Sequence, residues 1–186
     1  AIVGAVSRPA PPAPNAAALE QLAEWIIAAE QPLIISGGYG ARAGDAKALA
    51  ALAENHAIPI IAYRPRYSPV PSDHPMLVGY EVTAHIKTAD LIIIVDTDVP
   101  WVPKIHQPNP DARIVHIGAD PLYSNYVMRN FPSHLGITGQ AATIITALTQ
   151  TLDRKDRSRH EQSRRSRAAD DRAALKSSAK KEIKTA

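Results

Sequence analysis

The sequence predicts a doubly wound α/β domain, with a six-stranded, mostly parallel sheet and helices on both faces in a Rossmann-like arrangement. Short, continuous apolar runs, of which Leu91–Val95 is the strongest, alternate with segments whose apolar residues recur at helical spacing. Strands that face water on one side would alternate polar with apolar residues. The continuous runs therefore indicate strands that are buried on both faces.

Six strands and four helices of the body can be placed along the chain. The predicted strands are Leu33–Ile35, Ile58–Ala62, Met76–Gly79, Leu91–Val95, Ala112–Ile117 and Ser133–Ile137. Asn15 is the predicted N-cap of a first helix that ends before Pro32, because asparagine accepts from the free amides of a first turn. The other predicted helices are one with Asp45 in its first turn, one from about Val82 to Thr88, and Gln140–Leu152.

Length and composition indicate one globular domain with two tails. A chain of 186 residues, 45% of them hydrophobic, buries one core of ordinary size. The prolines of residues 7–15 predict that 1–15 is a linker, and 16–152 is the predicted central α/β domain. Residues 153–186 carry only Leu175 and Ile183 as large apolar side chains, so we expect a charged linker or a solvated helix there.

Charge is distributed unevenly between the body and the tail. Residues 153–186 contain 12 lysines and arginines against six acidic residues, a formal charge of +6, which leaves −3 for residues 1–152. A slightly acidic body is a poor nucleic-acid surface. The tail cluster Arg164, Arg165 and Arg167 could contact RNA or an acidic partner, but Asp170 and Asp171 follow at once, which favours a solvated linker.

Targeting signals and cysteines are absent from the sequence. No run of eighteen apolar residues occurs, and the first residues lack the charged-then-apolar order of a secretion signal, so neither a membrane span nor export is expected. The lack of cysteine excludes disulfides and thiolate metal sites and fits a cytoplasmic protein.

A glycine turn after the first strand is the first candidate site. Gly38, Gly40, Arg42 and Ala43 fit the G-x-G-x-x-G/A pattern of dinucleotide-binding folds, in which amides at a helix start face a phosphate. Such folds also place an acidic residue after the second strand, where this chain has Ala62-Tyr63-Arg64. The alternative, that the glycines form a tight turn without a ligand, is favoured.

Three aspartates, Asp96, Asp98 and Asp120, come just after predicted strands, where open α/β sheets bind ligands. Their alternative role is to cap loops and helix starts.

Trp101 could stack on a ligand ring, but an isolated aromatic residue in a proline-rich loop more often packs that loop on its own domain. The seven histidines show no short metal-binding spacing, and no nucleophile motif is present, so neither a metal site nor a catalytic residue is predicted.

Several motifs in order carry a family resemblance. A proline-rich entry and a helix come first, and they are followed in order by PLIISGGYGARAG, a second helix, IPIIA, HPMLVGY, TADLIIIVDTDVPW, ARIVHIGADP and HLGITGQAATIITAL, so that the match runs from about Pro9 to Leu152. This order resembles the central domain of thiamine-diphosphate-dependent enzymes of the acetolactate synthase and benzoylformate decarboxylase group. The resemblance implies N- and C-terminal catalytic domains as partners, a homo-oligomeric parent, and thiamine diphosphate and Mg²⁺ held by those domains rather than by this chain.

The resemblance also implies a possible nucleotide site, because some relatives hold FAD, ADP or coenzyme A in the central domain. The matching positions are Gly38, Gly40, Arg42 and Asp120. Two departures argue against it: Ile117-Gly118-Ala119-Asp120 keeps only the second aspartate of the family's I-D-x-D, and Val95–Val99 replaces the arginine-bearing stretch of FAD-binding relatives.

Three hypotheses follow for the function of the chain. The favoured one is a non-catalytic structural module of a 2-oxo acid decarboxylase or carboligase. The second is a nucleotide-binding module of the same enzyme class. The third, an independent Rossmann-type reductase, is disfavoured because the ribose-binding acid and a catalytic tyrosine-lysine pattern are missing.

Overall fold

The computed structural model describes residues 10–40, 44–129 and 131–185 and confirms the predicted α/β fold. Its strands are β1 (Pro32–Ser36), β2 (Ile60–Ala62), β3 (Leu77–Gly79), β4 (Leu91–Val95), β5 (Arg113–Gly118) and β6 (Leu135–Thr138). They form one sheet in the order β3-β2-β1-β4-β5-β6. Every neighbouring pair is parallel, so the sheet is wholly rather than mostly parallel.

Five helices accompany the sheet: α1 (Ala16–Ala28), α2 (Asp45–Asn55), α3 (His85–Thr88), α4 (Ala141–Asp153) and α5 (Glu161–Thr185). Both α1 and α2 pack against α4, so these three form one layer. Parallel crossovers are right-handed, which places α3 and the connections β4–β5 and β5–β6 on the other face. In their described residues these two connections contain no helix.

The core is centred on β4, which lies between β1 and β5 and is buried at all five positions. Strand β1 is also buried at all five. Both faces of these strands are therefore covered, as the continuous apolar runs predicted. Each buried isoleucine contributes about 1.5–3 kcal/mol of transfer free energy, which makes the central strands the main stabilising element.

Helix ends follow the predicted capping and differ mainly at α3. The side chain of Asn15 accepts a hydrogen bond from the amide of Ala18 at 3.1 Å, which confirms Asn15 as the N-cap of α1. The predicted helix Val82–Thr88 begins three residues later, at His85. Val82 only supplies the carbonyl that the amide of Ile86 binds at 3.0 Å.

The charged tail forms helix α5, which packs against β3 and the amino ends of β1 and β2. Its Arg164 is 1% exposed and Ala168 is fully buried, so the first half of α5 is docked rather than solvated. The composition argument missed this, because arginine can bury its side chain when it finds hydrogen-bond acceptors. Among the described residues, no helix combines the length and the apolar character that a membrane span requires.

Candidate functional site

The candidate site lies at the carboxyl edge of the sheet, between β1 and β4. The chain leaves β1 toward β2 on one side, whereas β4 leads to β5 on the other, so a crevice opens between the two strand ends. A cavity of about 440 Å³ occupies this crevice. It is lined mainly by residues that follow β1, β2 and β4, among them Gly37, Gly38, Tyr63, Arg64, Asp96 and Asp98.

A second cavity, of about 250 Å³, adjoins the first at the ends of β4 and β5. Asp120, His116 and Gly118 line it, and it shares Asp96 and Tyr123 with the crevice. Burial raises the pKa of Tyr123 to about 12, with the nearby carboxylates of Asp98 and Asp96 adding to the shift. The two cavities therefore form one region with an aromatic wall, which Asp96, Asp98 and Asp120 line together with Arg64 and Arg66.

The glycine turn after β1 is bonded to the protein on both sides. The amide of Gly37 donates to Oγ1 of Thr97 at 2.8 Å, and the amide of Gly38 donates to the carbonyl of Asp96 at 2.9 Å. On the other side, the amide of Arg66 donates to the carbonyl of Gly37 at 2.7 Å. The amides of Gly37 and Gly38 are thus engaged within the protein, whereas the helix start at 41–43 lies outside the described residues.

Close approach explains why this turn contains glycine. A Cβ atom on Gly38 would lie 2.3 Å from the carbonyl oxygen of Asp96, and one on Gly37 would lie 2.9 Å from that of Tyr63. Gly40 has a φ of 107°, and a Cβ there would lie 2.6 Å from the carbonyl oxygen of Ser68. The tight-turn interpretation accounts for all three glycines, whereas nucleotide contacts of Gly38 and Gly40 stay a prediction. Arg42 lies outside the described residues.

The predicted aspartates meet at this edge but serve local turns. Oδ1 of Asp98 accepts from the amide of Val99 at 2.9 Å, and Oδ2 of Asp120 accepts from the amide of Ser124 at 2.8 Å. Asp96 adopts a left-handed φ of 44°, and its amide donates to the carbonyl of Ile117 at 3.0 Å. The loop-capping alternative is therefore confirmed for Asp98 and Asp120, and their ligand contacts stay predictions.

Two aromatic residues hold the loops of the second face. Trp101 is 2% exposed and packs edge-on against Phe131, with ring centroids 5.2 Å apart. The packing role predicted for Trp101 is thus confirmed. The guanidinium of Arg129 lies 4.9 Å from the ring centroid of Tyr123, which lines both cavities, and 5.1 Å from that of Phe131. Arg129 thus connects the cavities to this aromatic packing.

His116 is a site residue that the sequence did not reveal. Nδ1 of its buried ring faces a guanidinium nitrogen of Arg129 at 3.2 Å, and Nε2 faces the carbonyl of Pro132 at 3.1 Å. A neutral ring satisfies both contacts if Nδ1 accepts and Nε2 donates. Arg129 stands thirteen positions away in an irregular loop, so no periodic pattern could have paired the two.

Protonation of His116 is expected to destabilise the fold. Burial lowers the pKa of His116 to about 4, from an ordinary value of 6.5. Between these values the unfolded chain binds a proton that the folded chain does not, so this contribution to the free energy of unfolding is full above pH 6.5 and falls by about 3 kcal/mol as the pH approaches 4.

The replacement His116→Gln checks this pH dependence, because glutamine keeps one acceptor and one donor without titrating. Urea unfolding between pH 4 and pH 7 should show a flatter stability curve for the variant than for the parent chain. Parallel curves for the two proteins across this range would contradict the assignment. Burial also lowers the pKa of His56 and His74, so only the difference between the curves reports on His116.

Thr97 is the second residue that the sequence did not single out. Its hydroxyl accepts from the amide of Gly37 and donates to the carbonyl of Val95, both at 2.8 Å. Thr97→Val keeps the shape but leaves both groups without their partner, so we expect a loss of about 1–3 kcal/mol in the free energy of unfolding. Thr138→Val, at an exposed position in β6, is the control and should change little in the same urea titration.

Among the described residues, the amides of Gly37 and Gly38 and the carboxylates of Asp98 and Asp120 are engaged within the protein, so they are poor ligands for a diphosphate group or Mg²⁺. A diphosphate requires donors that are free, and the amides of Gly37 and Gly38 are taken. Magnesium requires gathered oxygen ligands, whereas Asp98 and Asp120 bind turn amides of their own loops. Within the described residues no group of three or more His, Cys, Asp or Glu side chains is arranged to hold a metal ion.

Comparison with known proteins decides the family. Residues 19–148 match the family described as "Thiamine pyrophosphate enzyme, central domain". The chain belongs to this family. The resemblance stated from the motifs is thereby confirmed, and the candidate site is the carboxyl edge of a thiamine pyrophosphate enzyme central domain. Helix α5 lies wholly beyond the matched residues.

Relatives of this central domain are larger proteins. It is 29% identical over 156 residues to "Probable 2-ketoarginine decarboxylase AruI" of Pseudomonas aeruginosa, which covers 81% of this chain and 27% of that protein. It is 28% identical, with a TM-score of 0.66, to the X-ray structure of a protein from Mycobacterium smegmatis assigned as a thiamin diphosphate-dependent enzyme; the match covers 83% and 31% of the two chains.

A third relative supports the fold alone. Benzoylformate decarboxylase from Polynucleobacter necessarius is 18% identical with a TM-score of 0.59, and the match covers 86% of this chain and 32% of the other. The central domain thus spans about a quarter to a third of the length of the relatives it matches.

Proposed function

We propose that this chain is the non-catalytic central domain of a thiamine-diphosphate-dependent 2-oxo acid decarboxylase or carboligase, in which it holds two catalytic domains in place. The observation that carries the proposal is the glycine turn, in which the amides of Gly37 and Gly38 bind Thr97 and Asp96. Thiamine diphosphate would supply the electron sink for decarboxylation in the parent enzyme, bound by residues outside this chain.

One relative favours decarboxylation over carboligation. The protein that is 29% identical is named as a decarboxylase of 2-ketoarginine, an acid with a carbonyl next to the carboxylate. We further propose a homo-oligomeric parent, a cytoplasmic location, and a division of the chain into a linker (1–15), the central domain (16–152) and a charged extension (153–186).

Ligand binding by the purified chain tests the structural role. Thiamine diphosphate with Mg²⁺, FAD, ADP, coenzyme A and NADP should each leave the thermal unfolding midpoint unchanged. A nucleotide at 100 times its Kd would add about 2.7 kcal/mol to the free energy of unfolding, a shift that is easily measured. A shift with FAD, ADP or coenzyme A would put the nucleotide-binding alternative first, and a shift with NADP would favour the reductase.

Substitutions in the parent enzyme test the same proposal through turnover. Asp98→Asn and Asp120→Asn keep an oxygen acceptor for the amides of Val99 and Ser124 while removing the charge. We expect CO₂ release from a 2-oxo acid to depend on thiamine diphosphate and to stay within about twofold of the unaltered enzyme, because neither carboxylate takes part in turnover. A loss of turnover in both variants with an unchanged unfolding midpoint would contradict a structural role.

A further inference from the structure

Helix α5 is held against the body by arginines rather than by an apolar face. Among its described side chains only Arg164 and Ala168 are buried, and Leu175 is half-buried. Amphipathic helices usually dock through a stripe of large apolar residues, which supplies most of the favourable free energy. Polar contacts must therefore hold α5 in place.

Arg164 is the central contact of this helix. Its guanidinium donates to the carbonyls of Ile26 at 2.8 Å and His56 at 3.2 Å, and also to the carbonyl of Ala29. These acceptors lie at the ends of α1 and α2, where the last carbonyls lack partners and the helix dipole is negative. The buried guanidinium of Arg164 thus satisfies carbonyl groups at the carboxyl ends of both α1 and α2.

Three more arginines repeat the same kind of contact. Arg165 donates to the carbonyl of Glu54 at 2.6 Å, and Arg167 donates to that of Glu30 at 2.7 Å. Arg172 donates to the carbonyl of Leu77, in the outer strand β3, at 3.1 Å. All these acceptors are main-chain carbonyls that water can also satisfy, so separation of α5 would replace one set of hydrogen bonds by another.

We propose that α5 is a latch that closes on the amino edge of the sheet and opens as a unit while residues 16–153 stay folded. The helix itself contributes little apolar surface to the contact, because its buried side chains are Arg164 and Ala168. Opening uncovers strand ends at Pro32, Leu33 and Pro59, which is less apolar surface than global unfolding exposes. Residues 154–160 form the hinge, since they connect α4 to α5 without regular helix. This property goes beyond the proposed function and does not depend on it.

Opening of the latch changes the surface at the amino edge. With α5 closed, a space of about 410 Å³ lies between the helix and the strand ends, lined by Pro32, Leu33, Pro59 and His85. Beyond the docked contacts, the described side chains of residues 173–180 are mostly exposed. The latch therefore controls both access to this space and the direction of the free half of the helix.

Native-state hydrogen exchange on the complete 186-residue chain tests the proposal. The amides of residues 165–172 should exchange about 100-fold faster, or more, than those of Ile92–Ile94 in β4, because a separate opening requires less free energy than global unfolding. Low concentrations of urea should change the exchange rates in α5 less than those in β4, since separate opening of the helix exposes less surface than global unfolding does.

Variants separate docking from general stability. Arg164→Met should accelerate exchange in α5 by a further factor of about 10, and exchange in β4 by the same factor, because the docking contacts are lost in global unfolding as well. Ile93→Val, at a buried position of β4, should accelerate exchange in β4 and leave α5 unchanged, because the core stays folded when the latch opens. Arg159→Met is the matched control, because within the described residues the hydrogen bond of Arg159 goes to the neighbouring His160. Arg172→Met provides a second test at the other end of the docked segment if Arg164→Met does not fold.

The proposal is overturned if the α5 and β4 amides exchange at the same rate with the same urea dependence, since the helix would then unfold only with the core. It is also overturned if Ile93→Val accelerates α5 as much as β4, because the helix would then open only together with the core. Acceleration of α5 by Arg164→Met or Arg172→Met, with no effect of Arg159→Met and no effect of Ile93→Val on α5, supports it.

Discussion

Replacing Gly38 by alanine is expected to lower the free energy of unfolding by about 3 kcal/mol, as measured by urea denaturation followed by circular dichroism. The added Cβ would lie 2.3 Å from the carbonyl oxygen of Asp96, which is main chain and has no rotamer to change. Relief requires the ends of β1 and β4 to separate, and that breaks the hydrogen bond from the Gly38 amide to Asp96.

The matched control is Gly136→Ala in β6, where the nearest atom to an added Cβ is 3.9 Å away in the side chain of Pro121. This variant should stay within about 0.5 kcal/mol of the unaltered chain. Equal stabilities of the two variants would show that the crevice can widen at little cost in free energy. The tight turn would then no longer explain the glycine at position 38, and the nucleotide-binding interpretation would be favoured.

Replacing Trp101 by alanine is expected to cost about 3–5 kcal/mol, the usual range for the loss of a large buried aromatic side chain. Trp101 is 2% exposed, and its edge-on contact with Phe131 joins the β4–β5 connection to the β5–β6 connection. These connections cover one face of the central strands without a helix in their described residues, so few other side chains can fill the space.

Trp25→Ala provides the comparison within the same chain. Trp25 is only half-buried on α1, and the guanidinium of Arg113 lies 4.9 Å from its ring. A contact of this type contributes about 0.5–1 kcal/mol, so the loss should be clearly smaller than for Trp101. If Trp25→Ala were the more destabilising of the two, the packing role of Trp101 would have to be abandoned.

The strands were predictable because burial on both faces leaves a simple signal. Leu91–Val95 was predicted with its exact bounds, since only a central strand of a parallel sheet requires five consecutive apolar residues. Ile58–Ala62 was predicted two residues too long, because the apolar run continues through the residues before Ile60 although strand pairing does not. An apolar run in the sequence indicates that a segment is buried, but it does not show which of its residues pair with a neighbouring strand.

The position of the candidate site was predictable from the sequence, but the hydrogen bonds that its residues make were not. Asp96, Asp98 and Asp120 were predicted to follow strands at the ligand-binding edge of the sheet, and they line the two cavities there. That the Gly38 amide binds the carbonyl of Asp96 depends on contacts between residues about sixty positions apart, which a single sequence does not reveal. Likewise, the positive charge of Arg164 predicted a solvent-exposed side chain, because the composition of the tail does not show the carbonyl groups that accept its hydrogen bonds.

The order of contacts along the chain has a consequence for biosynthesis. The carbonyls that receive the arginines of α5 belong to residues 26–77, and the arginines themselves come more than eighty positions later. A nascent polypeptide therefore has the outer margin of β3 uncovered until almost the whole domain has left the ribosome. During that interval the carbonyl of Leu77 can accept a hydrogen bond from a strand of another molecule. The outer edge of β3 is therefore a site at which nascent chains can pair wrongly with each other.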